Sequence, residues 1–249
     1  MITRRVLLAM IAGGVPVLRS RIAFGAKTGR ETIVQLQYPP PRTATPERHG
    51  RRSAPTPTEI KQTHEVLAST PTGPRPIDIA QSFIDRYFER KPAVISQQPP
   101  PAPLNPLIAE FLEAAALHPL NDPIPWCAAF INFCIRRNGG VGSSSAWSQS
   151  FLPPAFEAVE SPQEGDLAVF TCVSPSTGRD IGLGHVAFFR RFDDERHIVV
   201  VGGNQATQGH SSIISERILP IGDRPVRRRI NTGDVISTMM HLNKFVRPA

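Results

Sequence analysis

The spacing of hydrophobic residues predicts helices in the middle of the chain. Residues Pro76–Arg90 repeat apolar side chains at helical spacing. A second helix is expected from Pro106, where Asn105 can cap the free amides and proline suits the first turn. The third, Trp126–Gly139, is apolar on nearly all sides at its start, so we expect it to be buried at the centre of the fold.

Beyond the third helix the pattern changes to that of β-strands. Short runs rich in Val, Ile and Phe alternate with turn-forming stretches; the runs are Asp166–Val173, Gly184–Phe192, Ile198–Gly203 and Ile213–Leu219. The acidic turn Asp193–Glu195 is short enough to join the second and third runs into a hairpin. Helices followed by strands predict an α+β fold, in which an antiparallel sheet packs against the buried helix.

Proline divides the chain into regions. Fifteen of the 26 prolines fall between Pro39 and Pro106, a density that a folded core does not tolerate, because each proline removes a backbone donor. We therefore predict a signal peptide at 1–26, a basic proline-rich linker at 27–76, a short helix with a proline-rich connector at 77–103, and a compact, enzyme-sized domain at 104–249.

The net charge of +7 lies in the predicted leader and linker. Residues 1–52 contain ten Lys and Arg against two Asp and Glu, and the rest of the chain contains 18 against 19. This distribution, without a nucleic-acid-binding motif, argues against a nucleic-acid partner. The one later basic cluster, Arg224 and Arg227–Arg229, is expected to lie on an exposed loop.

The N-terminus has the pattern of an export signal. Met1–Arg5 is basic, Val6–Leu18 is largely apolar, and Ala23-Phe24-Gly25 supplies small residues for signal cleavage. The pair Arg4-Arg5 resembles a twin-arginine signal. We expect an exported protein of the periplasm or cell envelope, with no stable membrane span after processing; an uncleaved anchor is the alternative.

Three cysteines in an exported chain leave at least one thiol without an internal partner. Cys134 and Cys172 either form a disulfide or are two small buried residues. Cys127 stands at the first turn of the buried helix, where free N–H groups and the helix dipole favour a thiolate, so we expect a lowered thiol pKa. The alternative is an inert core cysteine.

A base and an orienting group are available for this thiol. His185 follows Gly184 on a predicted strand, and Asn204 ends the next strand, which pairs with the first if the hairpin forms. An amide oxygen there could hold the second ring nitrogen of the imidazole, with Gln205 as a second candidate. A structural histidine and a turn asparagine are the alternatives.

Four ordered motifs resemble a known family of hydrolases. These are Pro125–Phe130 (PWCAAF), Gly165–Phe170, Gly184–Phe188 and Gly202–Gln205 (GGNQ). Over about 104–220 the chain resembles the CHAP-like peptidoglycan hydrolases of the NlpC/P60 superfamily, and most closely a PWCAAF/GGNQ group within it.

The resemblance implies a papain-like α+β fold with Cys127 as nucleophile, His185 as base and Asn204 as the orienting residue. We assign Trp126 and Gln205, which adjoin Cys127 and Asn204, to substrate binding. Asp166 resembles a structural aspartate of the family. Many CHAP domains carry a glutamate two residues before the asparagine, where this chain has Gly202.

The resulting hypothesis is a monomeric amidase or endopeptidase that cleaves an amide bond of peptidoglycan peptides, with no cofactor or metal. A catalytically silent wall-binding protein of the same fold is the main alternative. A metal hydrolase using Cys127, Cys172, His185 and His210 is a weaker one, because these residues lack the spacing of metal ligands.

Overall fold

The computed structural model describes residues 54–99, 102–117, 125–207, 211–229 and 234–248. Its α-helices are α1 (Pro57–Ala68), α2 (Pro76–Phe83), α3 (Pro106–Ala114) and α4 (Cys127–Arg137). Its strands are β1 (Ser96–Gln97), β2 (Glu157–Val159), β3 (Leu167–Val173), β4 (Asp180–Phe192), β5 (His197–Ala206), β6 (Ser212–Pro220), β7 (Arg224–Arg229) and β8 (Val235–Arg247). The helices pack on an antiparallel sheet, which confirms the predicted α+β class.

The strands form one eight-stranded sheet in the order β1-β6-β5-β4-β3-β8-β2, with β7 paired to β8. Every pair is antiparallel. β4 and β5 form the predicted hairpin around Asp193–Glu195. The predicted active-site strand β4 therefore lies in the interior of the sheet, between β3 and β5.

Helix α4 fills the centre of the core, as its sequence predicts. Phe130 is fully buried and contacts the aromatic rings of Phe83, Phe111 and Trp126. Neighbouring α3 begins at the predicted cap, because the Asn105 side chain accepts a hydrogen bond from the N–H of Leu107 at 2.9 Å. The helices thus hold α4 firmly against one face of the sheet.

The end of the proline-rich region contains a helix that the proline pattern does not predict. Thr56 and Glu59 form a capping box at the start of α1. Val66 is buried in the core, and Arg137 of α4 donates a hydrogen bond to the carbonyl of Thr70 at 2.6 Å. The fold thus extends to residues before 77, and the predicted signal peptide at 1–26 lies outside the described residues. None of the helices in the described ranges is both long and apolar enough to cross a membrane.

The basic cluster near the C-terminus does not lie on a loop, contrary to the sequence-based expectation. Arg224–Arg229 forms strand β7, which pairs with β8. Strand alternation turns Arg224, Val226 and Arg228 inward, where they are half-buried, whereas Arg227 is exposed.

All three thiols are free. Cys134 lies in the hydrophobic cluster between the helices and the sheet. Cys172 lies in a second cluster with Phe170, Ala187 and Phe189. These clusters occupy opposite faces of the sheet. Cys134 and Cys172 are therefore two separate buried residues and do not form a disulfide.

Candidate active site

The N-terminus of α4 enters a gap between β4 and β5. The ladder between these strands runs from Phe192↔Ile198 to Phe188↔Val201 and then stops. If the register continued, His185 would lie opposite Asn204. Instead the ladder ends there. The backbone groups of β4 and β5 beyond that point do not bond to each other and can contact Trp126 and Cys127.

A local distortion of β5 opens this gap. The register of β5 against β6 shifts between Gly202 and Gln205, and Asn204 there adopts a left-handed backbone with φ of 58°. Gly203 leaves room for the helix, since a Cβ atom there would lie 2.5 Å from the Trp126 ring and 2.9 Å from Cβ of Phe130. A glycine is therefore required for this close approach.

The Cys127 thiol lies against the backbone of β4. The N–H of Phe189 donates to the carbonyl of Asp166 at 2.6 Å, on the β3 side of the strand. Because strand amides alternate in direction, the N–H of Val186 points the other way, into the gap. There it faces the Cys127 sulfur and stabilises its thiolate form. The Cys127 thiol thus lies next to the residue that follows His185.

The protonation of this thiol differs from the sequence-based expectation. Burial raises the pKa of Cys127, and this effect is larger than the opposing effects of the Val186 N–H and the Arg228 charge. The N–H groups of Ala128 and of Cys127 itself also act to lower the pKa, as expected at a helix N-terminus. The expected net lowering is wrong because the side chain is only 2% exposed, which penalises the charged form.

His185 is buried on β4, next in sequence to the Val186 whose N–H faces the thiol. Alternation along β4 places it on the same face as Ala187 and Phe189, opposite to α4, and its ring centroid lies 6.3 Å from that of Phe170. Burial, followed by the positive charges of Arg228 and Arg224, lowers the pKa of His185 to about 3. The imidazole is therefore neutral at pH 7, with a free lone pair, although burial and the two arginines disfavour its protonated form.

Asn204 lies at the mouth of the gap and is half-buried. Among the described residues the structure contains no hydrogen bond between its side chain and His185. Position 202 cannot carry the glutamate found in many CHAP domains, because a Cβ atom on Gly202 would lie 2.8 Å from Cβ of Ala187. The close approach of β4 and β5 thus leaves no space for a side chain at position 202.

The two residues assigned to substrate contact have partners inside the protein. Trp126 is 2% exposed, and its indole N–H donates to the hydroxyl of Ser212 at 3.1 Å. Gln205 is also buried, and its amide donates to the carbonyl of Ser215 at 2.9 Å. In these positions both side chains fix the segments that carry Cys127 and Asn204.

A buried glutamine, which no sequence motif indicates, bonds to β3 and packs over β4 beside His185. The amide of Gln149 donates to the carbonyl of Phe170 at 2.8 Å and accepts from the hydroxyl of Thr171 at 2.8 Å. It passes directly over Gly184, where a Cβ atom would lie 2.1 Å from its nitrogen. Only glycine allows this contact beside His185.

Arg224 and Arg228 are the other residues that sequence reasoning missed. Arg228 acts electrostatically on Cys127, His185 and Cys172, and Arg224 acts on His185. The only signal in the sequence is their even spacing on a strand, which requires knowing that β7 exists. Within the described ranges, no group of three or more His, Cys, Asp or Glu side chains could hold a metal ion; His210 lies outside them.

A comparison with protein families agrees with this geometry. Residues 120–204 match the family model described as the CHAP domain, a segment that contains Cys127, His185 and Asn204. The match confirms the resemblance to CHAP-like proteins and indicates, in general terms, an amidase-type hydrolase of peptidoglycan. The searches of curated proteins and of solved structures gave no match.

Proposed function

We propose that this protein, through its CHAP domain, hydrolyses an amide bond of peptidoglycan peptides with Cys127 as nucleophile and His185 as base. The observation that supports this most is the contact of the Cys127 thiol with the backbone N–H of Val186, the residue that follows the neutral, buried His185. Amidase and endopeptidase specificity both fit this chemistry. Export to the periplasm or envelope, predicted from the leader, would bring the protein to its substrate.

In the acylation step, His185 takes the proton of the thiol as the sulfur attacks the amide carbonyl carbon. This order follows from the two pKa directions, since a raised thiol pKa and a lowered imidazole pKa make the neutral pair the resting state. The N–H groups of Val186, Ala128 and Cys127, which already act on the sulfur, are the candidate donors for the oxyanion. The imidazolium then protonates the leaving amine, and a thioester remains.

In the second step, neutral His185 accepts a proton from water, whose oxygen attacks the thioester carbonyl. The carboxylic acid leaves, and the proton returns to the Cys127 sulfur. We assign Asn204 to orienting the imidazole during these transfers, because it lies on β5, the strand that pairs with β4, and is half-buried. Such a contact has to form by a small movement of the Asn204 side chain when substrate binds.

One observation favours a second function, that of a wall-binding protein without turnover. The Cys127 thiol is 2% exposed and its pKa is raised by burial, both of which are unfavourable for a reactive nucleophile. Digestion of peptidoglycan, together with a binding measurement, distinguishes the two functions.

The test is digestion of purified peptidoglycan by the full chain, with the products identified by mass spectrometry. We expect new fragments from the wild type and a loss of at least about a thousandfold in rate for Cys127→Ala. The mass of the new termini identifies the bond that is cut.

A matched control is Cys134→Ala, which removes a buried thiol from the same helix at a distance from the gap. We expect it to lose stability and to retain activity in its folded fraction. Sedimentation of wild type and Cys127→Ala with intact peptidoglycan gives the binding readout. Binding by both proteins with no product from either would reject the hydrolase in favour of the wall-binding protein.

A further inference from the structure

Two arginines point inward on the His185 side of the sheet, opposite to α4, without a counter-charge among the described residues. Arg224 and Arg228 both point inward from β7, on either side of Val226, which packs on the second hydrophobic cluster. The Nε atoms of both side chains are buried and have no hydrogen-bond partner. Burial and the neighbouring positive charge of Arg228 lower the pKa of Arg224. An arrangement of this kind is unfavourable unless an anion completes it.

The acidic residues nearby do not supply that anion. In the described part of the chain, no ion pair joins a carboxylate to Arg224 or Arg228. Asp223 pairs with His241 at 3.1 Å. Asp180 is exposed and accepts a hydrogen bond from the N–H of Gly182 at 2.8 Å, although its charge reaches Cys172.

The pair lies beside the reacting groups. Arg228 is close enough to act on both the thiol of Cys127 and the ring of His185, and its guanidinium contacts the sulfur of Met240 at 3.0 Å. Arg224 also acts on His185. Each side chain is half-buried, so part of its surface remains accessible to a ligand.

We propose that Arg224 and Arg228 form a carboxylate-binding subsite, which holds a free carboxylate of the peptide substrate next to Cys127 and His185. This inference rests on the proposed function and adds a substrate class to it. A carboxylate fits because guanidinium groups bind planar anions through paired hydrogen bonds. The peptides of peptidoglycan carry free carboxylates a few bonds from their amide linkages. The subsite would select substrates in which that carboxylate is present over those in which it is amidated.

The experiment compares two synthetic stem peptides that differ only in whether their carboxylates are free or amidated. Kinetics are measured with the wild-type chain, Arg224→Gln and Arg227→Gln. Arg227 is the matched control, because it lies on the same strand and is exposed. We expect the wild type to prefer the free carboxylate, and Arg224→Gln to lose about tenfold in this preference through KM. Arg227→Gln is expected to keep the preference.

A second measurement does not depend on turnover. Calorimetry with Cys127→Ala, alone and combined with Arg224→Gln, gives the affinity for the same two peptides. Loss of the carboxylate preference only in the double variant supports the subsite even if the wild type hydrolyses neither peptide. Hydrolysis with equal preference for both peptides would reject the subsite and leave the hydrolase intact.

If Arg224→Gln does not fold, Arg224→Lys and Arg228→Lys keep the charge and remove the paired hydrogen bonds. We expect both to weaken the carboxylate preference several-fold. An unchanged preference in both lysine variants would overturn the proposal, as would inorganic phosphate competing more strongly than acetate for the site.

Discussion

The two faces of β4 around His185 are built in different ways. On the helix side, Val186 and Phe188 are fully buried against α4, and Gly203 admits the Trp126 ring at contact distance. On the opposite side, the hydrophobic cluster around Ala187 and Phe189 gives way near His185 to two inward arginines with unpaired donors.

This difference separates two roles. Packing on the helix side fixes where the Cys127 sulfur lies, since it admits one position for the start of α4. The opposite side sets the charge that the sulfur and the imidazole experience, through Arg224 and Arg228. Substitutions on the two faces can therefore change position and electrostatics independently.

The largest effect is expected for the response of stability to acid, which depends on the charged face. The pKa of His185 is about 3 in the folded protein and about 6.5 in an unfolded chain. The unfolded chain therefore takes up a proton as the pH falls below 6.5, while the folded protein does not. The contribution of His185 to the free energy of unfolding is fully present above pH 6.5. It is lost progressively towards pH 3, with a loss of about 3 kcal/mol at pH 4.

Urea unfolding of the wild type and of His185→Gln at pH 7 and pH 4 measures this term. Glutamine at position 185 cannot take up a proton, so the variant should lose about 3 kcal/mol less stability than the wild type between the two pH values. An equal loss in both proteins would show that His185 does not carry the acid sensitivity. His197→Gln is the control, because His197 is paired with Asp194 on the surface.

Local signals account for the parts of the fold that could be predicted. The cap at Asn105, the apolar start of α4 and the turn at Asp193–Glu195 each depend on neighbouring residues, and the structure confirms all three. Helix α1 had a usable signal in Thr56 and Glu59, the two residues of its capping box. The density of prolines around them outweighed it.

Strand β7 and the protonation of the site could not be predicted in the same way. Arg224–Arg229 is too polar to suggest a strand, and its inward side is defined only by its pairing with β8. The thiol pKa of Cys127 depends on how completely the fold excludes water from it. A helix N-terminus is visible in the sequence, but the depth at which it is buried is not.

A smaller effect is expected from disturbing the packed face. In Gly203→Ala the new methyl group would meet the Trp126 ring at 2.5 Å and Phe130 at 2.9 Å, so the start of α4 has to shift. We expect a loss of about 1–3 kcal/mol in the free energy of unfolding, as is typical of overpacking. Activity in the folded fraction should also fall, because Cys127 adjoins the displaced ring.

Gly222→Ala is the matched control, since a Cβ atom there has no neighbour within 4 Å. Urea denaturation of both variants and of the wild type measures the difference. If Gly203→Ala were as stable as Gly222→Ala, the helix-side face would have more freedom than its packing indicates, and the thiol would not be fixed by it.

The smallest effect is expected where the charged face acts on the packed one. Arg228 lowers the pKa of the Cys127 thiol against the larger effect of burial, so Arg228→Met should raise that pKa further while preserving much of the side-chain volume. The readout is the pH dependence of iodoacetamide alkylation at Cys127, followed by mass spectrometry of its peptide, with Arg227→Met as the exposed control. The profile of Arg228→Met should shift to higher pH and that of Arg227→Met should not. Equal profiles would mean that solvent screens Arg228 from the sulfur. The charged face would then affect the protonation of His185 but not that of Cys127.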